Sequence, residues 1–171
     1  MVAVIDKVSR HAWFKSAIGP AGFASLVSIG LFAGFMVTVL VLELSMRSAD
    51  GVVYTHIRQI ELIGLDVLAG LTLLPAMAAT IVVVISRLPL RGATRWLPVV
   101  ALLLMVGVLS ISAIVNLPIN ADQRMWVAAS PPVDWEAVRD QWQLAHVVRT
   151  VLAVAAFGGL GLTTIDLRRL R

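Results

Sequence analysis

The chain has 171 residues, of which 59% are hydrophobic and 14% charged, with a mean hydropathy of +0.91; this profile excludes an ordinary soluble domain and defines a membrane protein. A net charge of +4 does not point to nucleic acid, because the basic residues gather on no single solvent face and are not interleaved with stacking aromatics. There is no cysteine, which excludes disulfides, thiolate catalysis and thiolate-bound metals and leaves histidine and carboxylate as the available bases and ligands.

Lys7, Arg10 and Lys15 precede the first apolar stretch, near 21–42. It is longer than a signal-peptide core and lacks a cleavage signature, so it reads as an uncleaved anchor. Three more stretches, near 62–85, 96–115 and 144–165, also reach the roughly 20 apolar residues needed to cross about 30 Å of hydrocarbon. Runs such as "VSIGLFAGFMVTVLVL" and "LPVVALLLMVGVLSISAIV" are apolar all round, whereas barrel strands alternate, and lipid leaves helices as the other way to satisfy the backbone. The expected fold is all-α: a polytopic membrane protein forming a four-helix bundle, one domain over 1–171, with a partly structured third connection near 116–143. Nine of the fourteen basic residues but two of the ten acidic ones, Asp6 and Asp166, flank the spans on one side; these nine include Arg87, Arg91, Arg95, Arg168, Arg169 and Arg171. The positive-inside rule therefore places both termini in the cytoplasm and the first and third connections on the opposite face.

In span one, Gly30 and Gly34 form the GxxxG of "GLFAG", and "AAFGGLG" in the last span is similarly small; both permit close helix approach, within one chain or in a homodimer. Before and into span two, His56, Gln59, Ile63 and Asp66 follow a 3-4-3 spacing that would stack them on one helical face. Asp66 is then expected a turn or two deeper than Gln59 and pointing into the bundle, either as a register-fixing ion pair or as part of a site. Glu61 falls on the opposite side, at the interface.

Span three ends in "NLPIN", where Asn116 and Asn120 bracket Pro118. The proline interrupts the helical ladder, and the two amides either cap the frayed end or donate to a ligand oxygen. The following "MWVAASPPVDWEAVRDQW" reads as a folded lid broken at Pro131 and Pro132, with Asp134 able to cap a helix that runs into span four. Trp126, Trp135 and Trp142 in this region either anchor the protein at the interface or cover a flat apolar ligand, while Trp13 and Trp96 fit an interfacial belt at the other boundary. Arg139, Trp142, His146 and Arg149 again share one helical face by spacing. Arg149 either snorkels outward or pairs with Asp66 or Glu43. His146 is either an interfacial side chain or, near a carboxylate and away from water, a candidate general base. No nucleotide-binding glycine loop, HExxH or GxSxG motif is present.

The run "NLPINADQRMW", the later tryptophans and "AHVVRT" resemble the anthrone oxygenase-like family of small membrane proteins. The matching positions are Asn116, Pro118, Asn120, Trp126, Trp142, Arg149 and Thr150, with His146 standing where that family often has a second asparagine. The resemblance implies a four-span fold and, for the family's characterised branch, oxygenation of an anthrone to an anthraquinone by O2 without an added cofactor. It implies that His146 or His56 removes a proton, that Asn116, Asn120 and Arg149 hold the developing oxyanion, and that Trp126, Trp135 and Trp142 stack on an apolar aromatic substrate; Gln59 and Asp66 are further candidates for substrate binding. A competing reading binds iron or copper between helices through His56, His146 and Asp66 or Glu43. Another is a non-catalytic membrane subunit or small-molecule carrier. In every case the lipid bilayer is the surrounding partner.

Overall fold

The computed structural model describes residues 2–89 and 92–169, with side chains from 20 to 89 and 92 to 163. The orientation residues Asp6, Lys7, Arg10, Lys15, Arg91, Asp166, Arg168, Arg169 and Arg171, together with Trp13, lie outside the described side chains. Helix α1 spans Val2–Ser45, α2 Gly51–Glu61, α3 Leu65–Arg87, α4 Leu97–Ile111, α5 Leu117–Gln123 and α6 Trp135–Arg169. Four helical stretches are long and apolar enough to cross a bilayer: Pro20–Ser45, Leu65–Arg87, Ala93–Gln123 and Trp135–Thr163. The protein is a multi-pass, all-helical integral membrane protein.

The spanning helices stand in a ring, with α1 against α3 and α6, α4 against α6, and a looser seam between α3 and α4. Three layers follow along the bundle axis. One end is apolar, packed by Ile29, Phe32, Met36, Ala76, Met105, Ala153 and Leu160 among others. Small residues let the helices approach: a Cβ on Gly30 would meet the Phe157 ring at 3.1 Å, whereas Gly34 is exposed and has nothing within 4 Å. Half of the GxxxG therefore packs within the chain. The other end is capped by Met46, Tyr54 and Trp126, with Ile57, Trp135 and Val138 against them. Polar side chains fill the layer between.

The cap rests on α2 and the third connection. Asp50 caps α2 by accepting from the Val53 amide at 2.9 Å. At Gly51 a Cβ would lie 2.8 Å from Pro131 and 2.9 Å from the Trp135 indole, so glycine is needed for the lid to sit on the helix. Two boundaries differ from the sequence reading. The third span does not end at 115, because the helix continues through a π turn at Ser112–Asn116 into α5. Pro118 cannot offer an N–H to the preceding turn; the widened turn before it, closed by a Leu117 amide to Ser112 carbonyl bond, absorbs that loss. The second difference is the turn at 62–64 between α2 and α3, so His56, Gln59, Ile63 and Asp66 do not share one helix.

Candidate functional site

The polar layer is organised around Arg58, which is 2% exposed. Its Nε donates to Gln123 Oε1 at 2.8 Å and its NH2 to Asn120 Oδ1 at 2.7 Å. Its NH1 lies 3.0 Å from Glu61 Oε2 and 3.0 Å from Glu43 Oε1, the latter at ion-pair distance without hydrogen-bond alignment. The guanidinium covers the Trp142 ring at 4.0 Å. Two buried carboxylates thus share one cation. Glu61, just outside the spans, has its carboxyl raised above the ordinary value, first by desolvation and then by Glu43, against the pull of Arg58. Burial also raises the Tyr54 phenol, and Glu43 adds to that effect.

Asn120 links this cluster to α3 and α6. Its Oδ1 also accepts from Trp142 Nε1 at 2.6 Å, and its Nδ2 donates to Asp66 Oδ1 at 2.7 Å. The other Asp66 oxygen is paired with Arg124. Gln143 ties α6 to the end of α1 by donating to the Glu43 carbonyl at 3.0 Å and to its carboxylate at 3.2 Å.

A second cluster lies one turn deeper. Arg149 NH1 donates to Ser112 Oγ and NH2 bonds His146 Nδ1, both at 2.8 Å. A guanidinium cannot accept, so Nδ1 is the acceptor of that pair; the ring proton then sits on Nε2 and is donated to the Met36 carbonyl at 3.0 Å. His146 is therefore a neutral imidazole with both nitrogens engaged. Trp142 stacks on it with ring centroids 4.9 Å apart and planes 9° from parallel. Arg149 is 8% exposed, yet its hydrogen-bond partners are a hydroxyl and an imidazole. It contacts no carboxylate among the described residues.

These groups border a cavity of about 150 Å³. Its polar wall comprises Arg58, Asp66, Ser112, Asn116, Asn120, Trp142, His146 and Arg149; its apolar wall is drawn from Phe35, Met36, Val39, Leu73 and neighbours. The half-buried lining residues Leu65, Ala69 and Gly70 on α3 face the exposed Leu109 and Leu117 on α4 and α5. The lining is least covered there, along the loose seam of the ring.

Of the residues singled out by sequence, the structure brings Asp66, Asn116, Asn120, Trp142, His146 and Arg149 to this one cavity. It does not bring the others. His56 is exposed and absent from the lining, so it does not meet His146 across the mouth. Gln59 holds the lid by donating to the Trp126 carbonyl at 2.8 Å. Trp126 and Trp135 pack in the cap, where Trp126 donates to Asp122 at 2.9 Å and Trp135 lies 5.5 Å from the Tyr54 ring. Arg149 pairs with neither Asp66 nor Glu43, whose partners are Arg124 and Arg58. Glu61 is buried rather than interfacial. The donor set His56, His146, Asp66 and Glu43 does not gather, and no group of three His, Asp or Glu suited to a metal occurs among the described residues. Sequence reasoning passed over Arg58, Gln123 and Gln143. The signal for Arg58 was its spacing from Tyr54 and Glu61, four before and three after, one face of α2.

Fold and site together define a four-span membrane bundle with a largely apolar chamber, walled on one side by polar side chains, beneath an extramembrane lid. The chain belongs to the anthrone oxygenase family, whose profile matches residues 66–159, more than half of its length. The matched region runs from Asp66 into α6 and contains every cavity residue named above except Leu65 and those on α1 and α2. No curated protein and no solved structure matches the chain.

Proposed function

We propose that the cavity binds a flat, apolar ring ketone of the anthrone type and promotes its oxygenation by O2. The observation that carries this reading is Arg149: a buried guanidinium on a cavity wall whose hydrogen-bond partners are neutral. Such a group is costly in a membrane and is suited to a negative charge that develops on a ligand oxygen. The reaction balances as ring CH2 plus O2 giving ring C=O plus H2O. A base takes one C–H proton, the resulting enolate passes an electron to O2, and the carbon radical and superoxide combine as a peroxide anion that takes the proton back from the base to give a hydroperoxide. Loss of the second C–H proton with O–O cleavage forms the new carbonyl and releases water.

Asp66 is the better-placed base, because a carboxylate accepting two hydrogen bonds retains further lone pairs, whereas the acceptor nitrogen of His146 is occupied. His146 then positions Arg149. A cavity of about 150 Å³ has the volume that encloses a single benzene ring, so the rest of a three-ring plane extends through the α3–α4 seam. An apolar substrate enters by that route from the bilayer. The preponderance of basic residues on the other side supports cytoplasmic termini and a chamber on the non-cytoplasmic side.

The test is anthrone oxidation in proteoliposomes, measured as O2 uptake and anthraquinone formation above the spontaneous rate. Wild-type protein accelerates it, and Arg149→Gln lowers the enzymatic rate by about 100-fold or more. No acceleration by wild type, with the helical fold intact by circular dichroism, would refute the proposal.

A further inference from the structure

Two carboxyl groups meet at Arg58 NH1: Glu43 from α1 and Glu61 from the end of α2, each 3.0 Å away. All three side chains are buried. The other guanidinium nitrogens serve the neutral amides of Gln123 and Asn120, so one cation answers two acids. No second cation touches either carboxyl among the described residues. Arg47 and Arg139 both pair with Asp140, Arg124 pairs with Asp66, and Arg149 bonds Ser112 and the neutral His146. The Tyr54 phenol accepts from Gln123, and His56 is exposed. Two like charges sharing one nitrogen away from water do not both ionise without a large cost, so the pair holds a proton as a unit. Glu43 has a further donor in Gln143 at 3.2 Å, whereas Glu61 Oε1 has none. The proton therefore belongs on Glu61.

Glu61 sits where α2 is joined to the bundle. Two residues earlier, Gln59 donates to the Gln123 and Trp126 carbonyls at 3.3 and 2.8 Å, and Tyr54 and Gly51 pack against Trp135. The turn at 62–64 follows directly, so α2 can shift without α3. We propose that Glu61 is a proton-operated latch for the lid: protonated, it lets α2 seat on the polar layer; ionised, it repels Glu43 and releases α2 together with the third connection. Burial and then Glu43 hold its folded carboxyl above the ordinary value. Closure is therefore complete below the unfolded value and is lost as pH rises through the folded one. This latch does not depend on the ring-ketone reading.

The chain has no cysteine, so Ser130→Cys, at an exposed position of the lid, gives the full-length protein in detergent a single nitroxide site. Its mobility is followed by electron paramagnetic resonance as pH is raised from about 5 to about 9, and the mobile fraction should grow, by at most about 10-fold per pH unit for a one-proton step. Glu61→Gln, which mimics the neutral acid, should keep the label immobile throughout. Glu43→Gln should do the same, because Glu61 then has the cation to itself, and it carries the comparison if Glu61→Gln does not fold. His56→Gln should leave the transition in place. Mobility independent of pH in the labelled parent, the same transition surviving in Glu61→Gln or Glu43→Gln, or its loss in His56→Gln would overturn the latch.

Discussion

The two halves of the bundle solve different problems with the same four helices. The apolar half, around Ile29, Met36, Met105 and Ala156, is held by close packing of residues that are 0–2% exposed, with the buried Ser25–Thr80 hydroxyl pair bonded within it. The polar half concentrates Glu43, Arg58, Asn120, Gln123, Gln143 and His146, also 0–3% exposed, and each is answered by named donors and acceptors. Within it, Arg58 is saturated by carboxylates and amides, whereas Arg149, one turn deeper, is not. The lesson is that the polar layer is not one network. Its outer part ties the helices together through charged partners, and its inner part leaves Arg149 with neutral hydrogen-bond partners.

The largest expected effect separates those two arginines. Arg58→Leu strands Glu43 and Glu61 in a buried site, and loss of one partner from such a pair costs about 3–5 kcal/mol; thermal unfolding in detergent should show a large drop. Arg149→Gln should leave the unfolding temperature close to wild type and remove activity instead. The comparison breaks if both variants behave alike.

Next comes the role of His146. Glutamine can keep an acceptor for Arg149, whereas leucine cannot. If His146 positions Arg149, His146→Gln retains oxidation within about 10-fold of wild type and His146→Leu loses more. Equal loss in both, measured as initial rates of anthraquinone formation, would return the proton-accepting role to the imidazole.

A smaller effect probes the apolar half. Ala156, with no exposure, lies in the packed core, and Ala156→Leu should cost about 1–3 kcal/mol by overpacking. Quinone affinity should not change, since the residue does not line the cavity. The smallest effect is on pH. Because the folded carboxyl of Glu61 lies above its unfolded value, its contribution is fully present below that unfolded value and is lost as pH rises through the folded one. Unfolding temperature should therefore fall modestly with rising pH across that window, and Glu61→Gln should flatten the trend.

The spans were legible because apolar residues around a whole helix circumference have one explanation at this length. The inner cluster was legible for a related reason: amides, a histidine and an arginine at bilayer depth are costly enough to require partners. What was not legible depended on local geometry. Pro118 ordinarily stops a helix, and only the widened turn at Ser112–Asn116 lets α5 continue and carry Asn120 to Arg58. The turn at 62–64 resets the helical phase, so the face drawn through His56 and Asp66 does not exist. Arg58 was passed over because one arginine in an amphipathic helix looks the same whether its partners are water or Glu43. The tryptophans of the lid and of the site differ only in what lies beneath them, which no spacing records.

The central claim is that Arg149, whose hydrogen-bond partners are neutral, presents positive charge to the chamber. It is tested most directly by the ionisation of 2-naphthol bound in the cavity, followed by absorbance as pH is varied. The account predicts that binding favours the naphtholate, moving ionisation down by at least about one pH unit, or roughly 1.4 kcal/mol, and that Arg149→Gln abolishes the shift. Ionisation moved upward on binding to wild type, as expected in a merely apolar cavity, would contradict it.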